Sequence, residues 1–154
     1  MEKFLALVSR IKYEISELQI VVKRVHKAWN LFKESGDPIY IDSVALNLHN
    51  FYSGVERIFE LVAEDIDDLK PKSSQWHKDL LKQMSLEIPN VRPAVISLEL
   101  REVLDEYRAF RHLVRNVYSY QLNTDKMRNL IENLDKVYYK LVEELDVFCK
   151  FLEG

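Results

Sequence analysis

A basic stretch late in the chain carries the side chains best suited to chemistry. Between residues 108 and 116 there are three arginines and one histidine with no carboxylate among them, although the formal net charge of the chain is -3. At helical spacing these four side chains share one face of a helix with the polar residues Asn116 and Ser119. We call this face the basic strip, and its members are Arg108, Arg111, His112, Arg115, Asn116 and Ser119. Guanidinium groups bind phosphate oxygens through paired N–H donors, so the strip predicts an anion site, with an idle basic surface as the alternative.

The opposite side of the same predicted helix is apolar. Its members are Val103, Tyr107, Phe110, Leu113, Val114 and Val117. An apolar face of this width must pack against other helices, because leaving it in water would be costly. The pattern therefore predicts a helix that is buried on one side and presents the basic strip on the other.

The composition is that of a soluble globular protein. Of 154 residues, 47% are hydrophobic and 31% charged, and only 3 Gly and 4 Pro are available for the turns of an all-β fold. No apolar run approaches the roughly 20 residues that span a bilayer, and no signal-peptide pattern is present, so we expect no membrane segment and a cytoplasmic location. The single cysteine, Cys149, argues against an internal disulfide and a thiolate-rich zinc site.

Apolar residues at alternating steps of three and four predict an all-α protein. The predicted helices, four long and one short, cover residues 2–34, 41–69, 75–85, 98–122 and 124 to about 152. We expect a single domain, 1–154, built as an up-and-down bundle. Gly36 should end the first helix, since a Pro follows two residues later. Gly54, inside the second helix, indicates either a close helix crossing or a tolerated imperfection.

Three blocks of this sequence resemble, in the same order, the HEPN superfamily of ribonucleases and in particular its HepT-like toxins. The blocks are Phe51–Phe59, Trp76–Leu81 and Arg111–Tyr118. The family motif consists of arginine, four residues, histidine, one residue and tyrosine, which places the motif arginine at Arg111. The resemblance implies a helical bundle that cleaves RNA without a metal: the arginine holds the scissile phosphate, and the histidine moves a proton.

At the position of the motif histidine this chain has Asn116, whose amide does not titrate near neutrality. Three interpretations follow: an introduced inactivating substitution, a naturally inactive binding protein, or proton transfer by His112. In each of them Arg111 and its arginine neighbours remain the anion site. Two functions are therefore compatible with the sequence. One is an endoribonuclease toxin; the other is a non-catalytic helical module that binds a nucleotide, RNA or a partner protein through the basic strip.

The resemblance also implies partners. They are an RNA substrate, a nucleotidyltransferase antitoxin that attaches AMP to Tyr118, and a second copy of the chain whose Arg111 faces the same cleft. On a continuous helix, Tyr118 would lie at the border of the two faces, with its ring anchored by packing and its hydroxyl at the cleft.

No metal site or cofactor is expected, because none of the four histidines has a carboxylate at i,i+4. We expect His77 to be a structural residue with a backbone or carboxylate partner. His49 and Asn50 should either be exposed or line a polar cleft.

Overall fold

The helices predicted from apolar spacing are present, four long and one short. The structure is a computed structural model that describes residues 2–154, and it contains no strand in that range, apart from an isolated bridge between Ile88 and Arg92. The helices are α1 (Leu5–Ser35), α2 (Ile39–Val62), α3 (Trp76–Met84), α4 (Leu98–Val114) and α5 (Thr124–Glu153). A 3-10 turn precedes α1, a second one (Ser119–Gln121) precedes α5, and a π-helical turn (Ala63–Asp67) continues α2. The all-α prediction is confirmed.

The four long helices close around one core. Helix α1 packs against α2 and α5, and α4 packs against the same two helices, while α3 lies against α2 and α4. Large aromatic side chains fill the centre, and the rings of Phe51 and Tyr107 meet at a centroid distance of 5.5 Å. The hydroxyl of Tyr107 donates to the backbone carbonyl of Leu130 at 2.6 Å. One buried tyrosine thereby joins α2, α4 and α5, which fixes the helix that carries the basic strip.

Both glycines singled out by the sequence have structural reasons. Gly36 adopts φ 70° and donates its N–H to the carbonyl of Phe32, which is the expected left-handed helix end. Gly54 is buried where α1 crosses α2, and a Cβ atom there would lie 2.6 Å from Cδ2 of Leu18. The close-crossing interpretation is therefore correct. The absence of a Cβ atom lets α1 and α2 pack closely, which offsets the roughly 1 kcal/mol that glycine costs inside a helix.

The end of α2 differs from the prediction and is held by a buried ion pair. Helix α2 begins at Ile39, and at Ala63 it passes into the π-helical turn, which stops at Asp67 instead of continuing to residue 69. The Nε and Nη2 atoms of Arg92 donate to the two carboxylate oxygens of Asp67 at 2.6 and 2.8 Å, and both side chains are fully buried. Three backbone carbonyls accept further hydrogen bonds from this guanidinium. The pair thus ties the end of α2 to the loop that precedes α4.

Helix α4 is shorter than predicted. It ends at Val114 rather than at residue 122, and the chain turns through the 3-10 segment before α5 begins. A helix that continued to residue 122 would leave one residue to reverse the chain, which is too short for antiparallel neighbours. The side chain of Asn123 then caps α5 by accepting from the N–H groups of Asp125 and Lys126. None of the described helices combines the length and apolar composition needed to cross a membrane.

Candidate nucleic-acid interface

Most of the basic strip lines one cleft. An open cavity of about 290 Å³ lies beside the C-terminal half of α4, and it is lined by Arg108, Arg111, His112, Arg115, Asn116 and His77. Five of these six residues were predicted as a group from helical spacing, and Ser119 is the strip member that is not among the lining residues. The cleft therefore gathers three guanidinium groups and two imidazole rings, which together can bind phosphate and exchange protons.

Arg111 is held in place by α2. Its Nε atom donates to the hydroxyl of Ser53 at 2.8 Å, and its side chain is half-buried. This hydrogen bond uses Nε of the guanidinium, so the two Nη atoms are left to bind a ligand in the cleft. A guanidinium that is already oriented loses less entropy when it binds phosphate than a freely rotating side chain does.

The other two arginines differ from Arg111 in their surroundings. Arg108 donates from Nε to a carboxylate oxygen of Asp105 at 2.6 Å, so an acid one turn earlier offsets part of its charge. Arg115 is exposed and makes no ion pair with any carboxylate in the described part of the chain. The strip is thus less uniformly basic than its sequence indicates, and Arg111 and Arg115 provide most of its uncompensated positive charge.

The last part of the motif lies outside the helix. Asn116 follows the end of α4, and its side-chain amide donates to the carbonyl of His112 at 2.7 Å. Tyr118 is 73% exposed and stacks on Tyr120 with 5.9 Å between ring centroids and 9° between ring planes. The expectation that packing against the apolar face anchors Tyr118 was wrong, because that face ends with α4 four residues earlier. Tyr118 is also not among the residues that line the cavity, so the expected position of its hydroxyl at the cleft is not confirmed, although the side chain is accessible to solvent.

His77 is a cleft residue that the sequence did not identify as such. Its Nδ1 atom lies 2.7 Å from Oε2 of Glu56, and its ring stacks on Trp76 with 3.7 Å between centroids. A backbone or carboxylate partner was expected for His77, and the structure shows that the partner is the carboxylate of Glu56. Its place in the cleft could not be read from spacing, because α3 and α4 are separated by a loop. A usable signal did exist: Glu56 stands among the apolar residues of α2, and a buried carboxylate requires a polar partner.

The chain matches a known protein family. A family model described as HepT-like protein matches residues 43–152, which is more than two-thirds of the chain. The chain belongs to the HepT-like family. This family is related to the HEPN superfamily. The matched range of the HepT-like domain contains every residue of the cleft and nearly all of α2, whereas α1 lies outside it. No curated protein and no solved structure matches the chain.

In this HepT-like domain His49 is a polar neighbour of the strip. Its ring is half-buried on α2, one turn before Ser53, and its Nδ1 atom has no hydrogen-bond partner among the described residues. Burial lowers the pKa of His49 below its ordinary value, and the positive charges of Arg111 and Arg115 lower it further, while Asn50 acts in the opposite direction. His49 is therefore within electrostatic reach of the cleft arginines, but neither His49 nor Asn50 lines the cavity, so the structure matches neither the exposed nor the polar-cleft interpretation.

The lowered pKa of His49 predicts a pH dependence of stability. The unfolded chain binds a proton at this position near pH 6.5, and the folded protein does so only at lower pH, so protonation favours the unfolded state. The free energy of unfolding should fall as the pH drops below 6.5, and His49→Asn should show a weaker fall. Urea denaturation above and below that pH tests this prediction. Equal pH dependence in parent and variant would contradict it.

Among residues 2–154 no group of three or more His, Cys, Asp or Glu side chains is arranged to hold a metal ion.

Proposed function

We propose that this HepT-like protein is the RNA-directed toxin of a toxin–antitoxin pair and that it binds and cleaves cytoplasmic RNA in the cleft of the basic strip. The observation that supports this most is the position of Arg111. It is oriented by Ser53, flanked by two further arginines, and placed in the same cavity as two histidines. The pentavalent phosphorane that forms during RNA cleavage carries extra negative charge, and oriented guanidinium donors stabilise that charge.

Cleavage of RNA also needs a group that takes a proton from the ribose 2′-hydroxyl. Asn116 cannot do so, and its amide is engaged with the carbonyl of His112. This favours a second candidate function, in which the same cleft binds RNA, a nucleotide or a partner protein without catalysis. Incubating RNA with the parent chain and with Asn116→His separates the two. Cleavage by either protein supports the nuclease, and salt-sensitive binding without cleavage by both supports the binding module.

We further propose that two copies of the chain pair so that Arg111 of each faces one shared cleft. A single strip offers three guanidinium groups, which is few for surrounding an RNA strand, and two-fold pairing is the commonest oligomer geometry. A single mass equal to that of the monomer in light scattering at micromolar concentration would disprove this arrangement.

RNA binding should depend on salt and on the strip. If counterion release accompanies each arginine contact, the log–log slope of affinity against salt is about −2 for one strip and about −4 for two. Replacing Arg108, Arg111 and Arg115 by alanine should remove most of the affinity and flatten the slope, in a filter-binding assay over a range of salt. The matched control replaces three exposed arginines outside the cleft, Arg10, Arg24 and Arg57. Equal loss in both triple variants would mean that RNA binding is not located at the strip.

Tyr118 is the proposed site of inactivation by the antitoxin. A partner nucleotidyltransferase would let the phenolic oxygen attack the α-phosphate of ATP, which releases pyrophosphate, while a base of the partner takes the phenolic proton. The exposed hydroxyl of Tyr118 permits this reaction, and the added phosphate would compete with RNA for the cleft arginines. Mass spectrometry after co-expression should place AMP on Tyr118. Its stacking partner is the matched control: Tyr120→Phe should still be modified and Tyr118→Phe should not.

A further inference from the structure

We propose that His77, held by Glu56, is the proton-transfer group of the cleft and that it supplies the chemistry that Asn116 cannot. This inference rests on the proposed function, because it assigns a role within RNA cleavage. It starts from a pair of residues that lie 21 positions apart and meet at 2.7 Å at the edge of the cavity that contains Arg111.

Glu56 determines which ring nitrogen is available. Its side chain is 5% exposed, and its Oε2 atom faces Nδ1 of His77, so the neutral imidazole carries its hydrogen on Nδ1 and donates it to the carboxylate. The lone pair is then on Nε2, for which no protein partner exists among the described residues. A carboxylate that orients a histidine in this way also stabilises the imidazolium that forms during proton transfer.

Packing adds a second restraint. The ring of His77 stacks on Trp76, and Lys70 lies over the same indole ring at 5.6 Å while pairing with Glu60. The histidine is therefore held by a carboxylate at one edge and by an aromatic ring on one face. A general base must be held close to its productive geometry, and these contacts provide that restraint.

The other histidines lack this combination. His112 lines the cleft but is exposed and has no carboxylate partner among the described residues. His49 has its Nδ1 atom buried and is not among the residues that line the cavity. His26 has a carboxylate partner, with Nε2 lying 2.9 Å from Asp135, but this pair joins α1 to α5 away from the cleft. His77 alone among these four combines an orienting carboxylate with a place beside the arginines.

The proposed step is an internal transfer of the phosphoryl group to the 2′-oxygen. Nε2 of His77 takes the proton of a ribose 2′-hydroxyl, and the freed oxygen attacks the adjacent phosphorus atom. The bond from phosphorus to the 5′-oxygen breaks, and that oxygen leaves with the electron pair. Water carries the proton from the imidazolium to the 5′-oxygen, which restores neutral His77. The products are a 2′,3′-cyclic phosphate and a 5′-hydroxyl, and Arg111 neutralises the charge on the phosphorane.

Two elements place charged or titratable groups beside His77. Glu56 on α2 contacts its ring, and four residues of α4 and its C-terminal end line the same cavity: Arg108, Arg111, His112 and Arg115. Glu56→Gln should lower the cleavage rate less than loss of the ring does, and it should weaken the preference for hydrogen on Nδ1 in the histidine ¹⁵N shifts. A residue with a merely structural role would lower the rate without changing which ring nitrogen carries the hydrogen.

The experiment compares parent, His77→Gln and His26→Gln in single-turnover cleavage of RNA, together with binding of an uncleavable oligonucleotide that lacks the reacting 2′-hydroxyl. His77→Gln should cleave about 10²- to 10⁴-fold more slowly, which is the usual contribution of a general base, and should bind the oligonucleotide as the parent does. His26→Gln is the matched control, because it also removes a histidine from a carboxylate pair, and it should retain full activity. Thermal melting of all three establishes that each is folded.

The outcomes separate the inference from the proposed function. Cleavage by His77→Gln at the parental rate overturns the inference and leaves the nuclease intact, as does cleavage by Asn116→His when the parent is inactive. If neither the parent nor Asn116→His binds or cleaves RNA, both are overturned. A readout that needs no activity is available from the histidine ¹⁵N shifts. They should show hydrogen on Nδ1 of His77, and hydrogen on Nε2 alone would overturn the inference.

Discussion

Replacing Arg111 with alanine is expected to reduce the rate of RNA cleavage by about 10²- to 10³-fold, the usual effect of removing one oriented donor to the transition-state charge. The side chain reaches the cleft from the last turn of α4, and its hydrogen bond to Ser53 sets its direction. Arg111→Lys keeps the charge but loses the planar fork and the bond from Nε, so it should recover only part of the activity. Single-turnover rates at saturating enzyme measure the effect on the chemical step.

Arg57→Ala is the appropriate control for this experiment. Arg57 is on α2, four residues after Ser53, and it is exposed and pairs loosely with Glu14 at 3.6 Å. Removing it takes the same charge from the protein without altering the cleft, and it should leave the cleavage rate within about twofold, as expected for a surface substitution. If Arg111→Ala cleaves RNA as fast as Arg57→Ala does, then the assignment of Arg111 to the scissile phosphate is wrong.

Replacing Arg92 with alanine is expected to lower the free energy of unfolding by about 3–5 kcal/mol, because it leaves the carboxylate of Asp67 buried without a counter-charge, with only the side-chain amide of Gln83 donating to it. Both side chains are completely buried, and the guanidinium also satisfies three backbone carbonyls that would lose their donor. Total stabilities of domains of this kind are about 5–15 kcal/mol, so the variant should be close to unfolding. Urea denaturation followed by circular dichroism measures the change.

An exposed ion pair nearby provides the comparison. Arg10 and Asp65 approach to 3.7 Å, with 62% and 42% of their side chains exposed, and Arg10→Ala should cost less than about 1 kcal/mol. Replacing Arg92 and Asp67 together by Met and Leu should recover part of the loss, since the double variant leaves no buried charge unpaired, although the three backbone carbonyls still lack their donor. A loss of less than 1 kcal/mol for Arg92→Ala would show that Gln83, which donates to this carboxylate at 2.8 Å, or water satisfies it without Arg92.

The sequence predicted the helices well because their apolar spacing persists over many turns, and it predicted the strip because its members are neighbours on one helix. The end of α4 was missed because Val117 and Leu122 continue the helical spacing, although the chain must reverse before α5. The pairing of Asp105 with Arg108 could have been foreseen, since side chains at i and i+3 meet on a helix surface.

Contacts between distant segments had no comparable signal. Arg92 and Asp67 are 25 residues apart, on a loop and a π-helical turn whose relative position depends on tertiary packing. The same holds for His77 and Glu56: the place of Glu56 among apolar residues of α2 indicates that it has a polar partner, but not that the partner is His77. A buried acid or a loop arginine indicates that a partner exists, but only the folded chain identifies which residue it is. Five of the six residues that line the cleft were therefore predicted from the sequence, and only the structure places His77 among them.

The close packing of α1 and α2 at Gly54 also affects the position of the cleft residues. Ser53 and Gly54 are consecutive on α2, so they point in directions about 100° apart, one toward Arg111 and the other toward Leu18. Widening the gap between α1 and α2 would carry Ser53 along with the helix backbone. The mechanical support of the cleft thus includes α1, which lies outside the matched family range. A bulkier residue at position 54 would meet Leu18, and if the two helices move apart it should change the direction of Arg111 from the far side of α2, without touching the cleft.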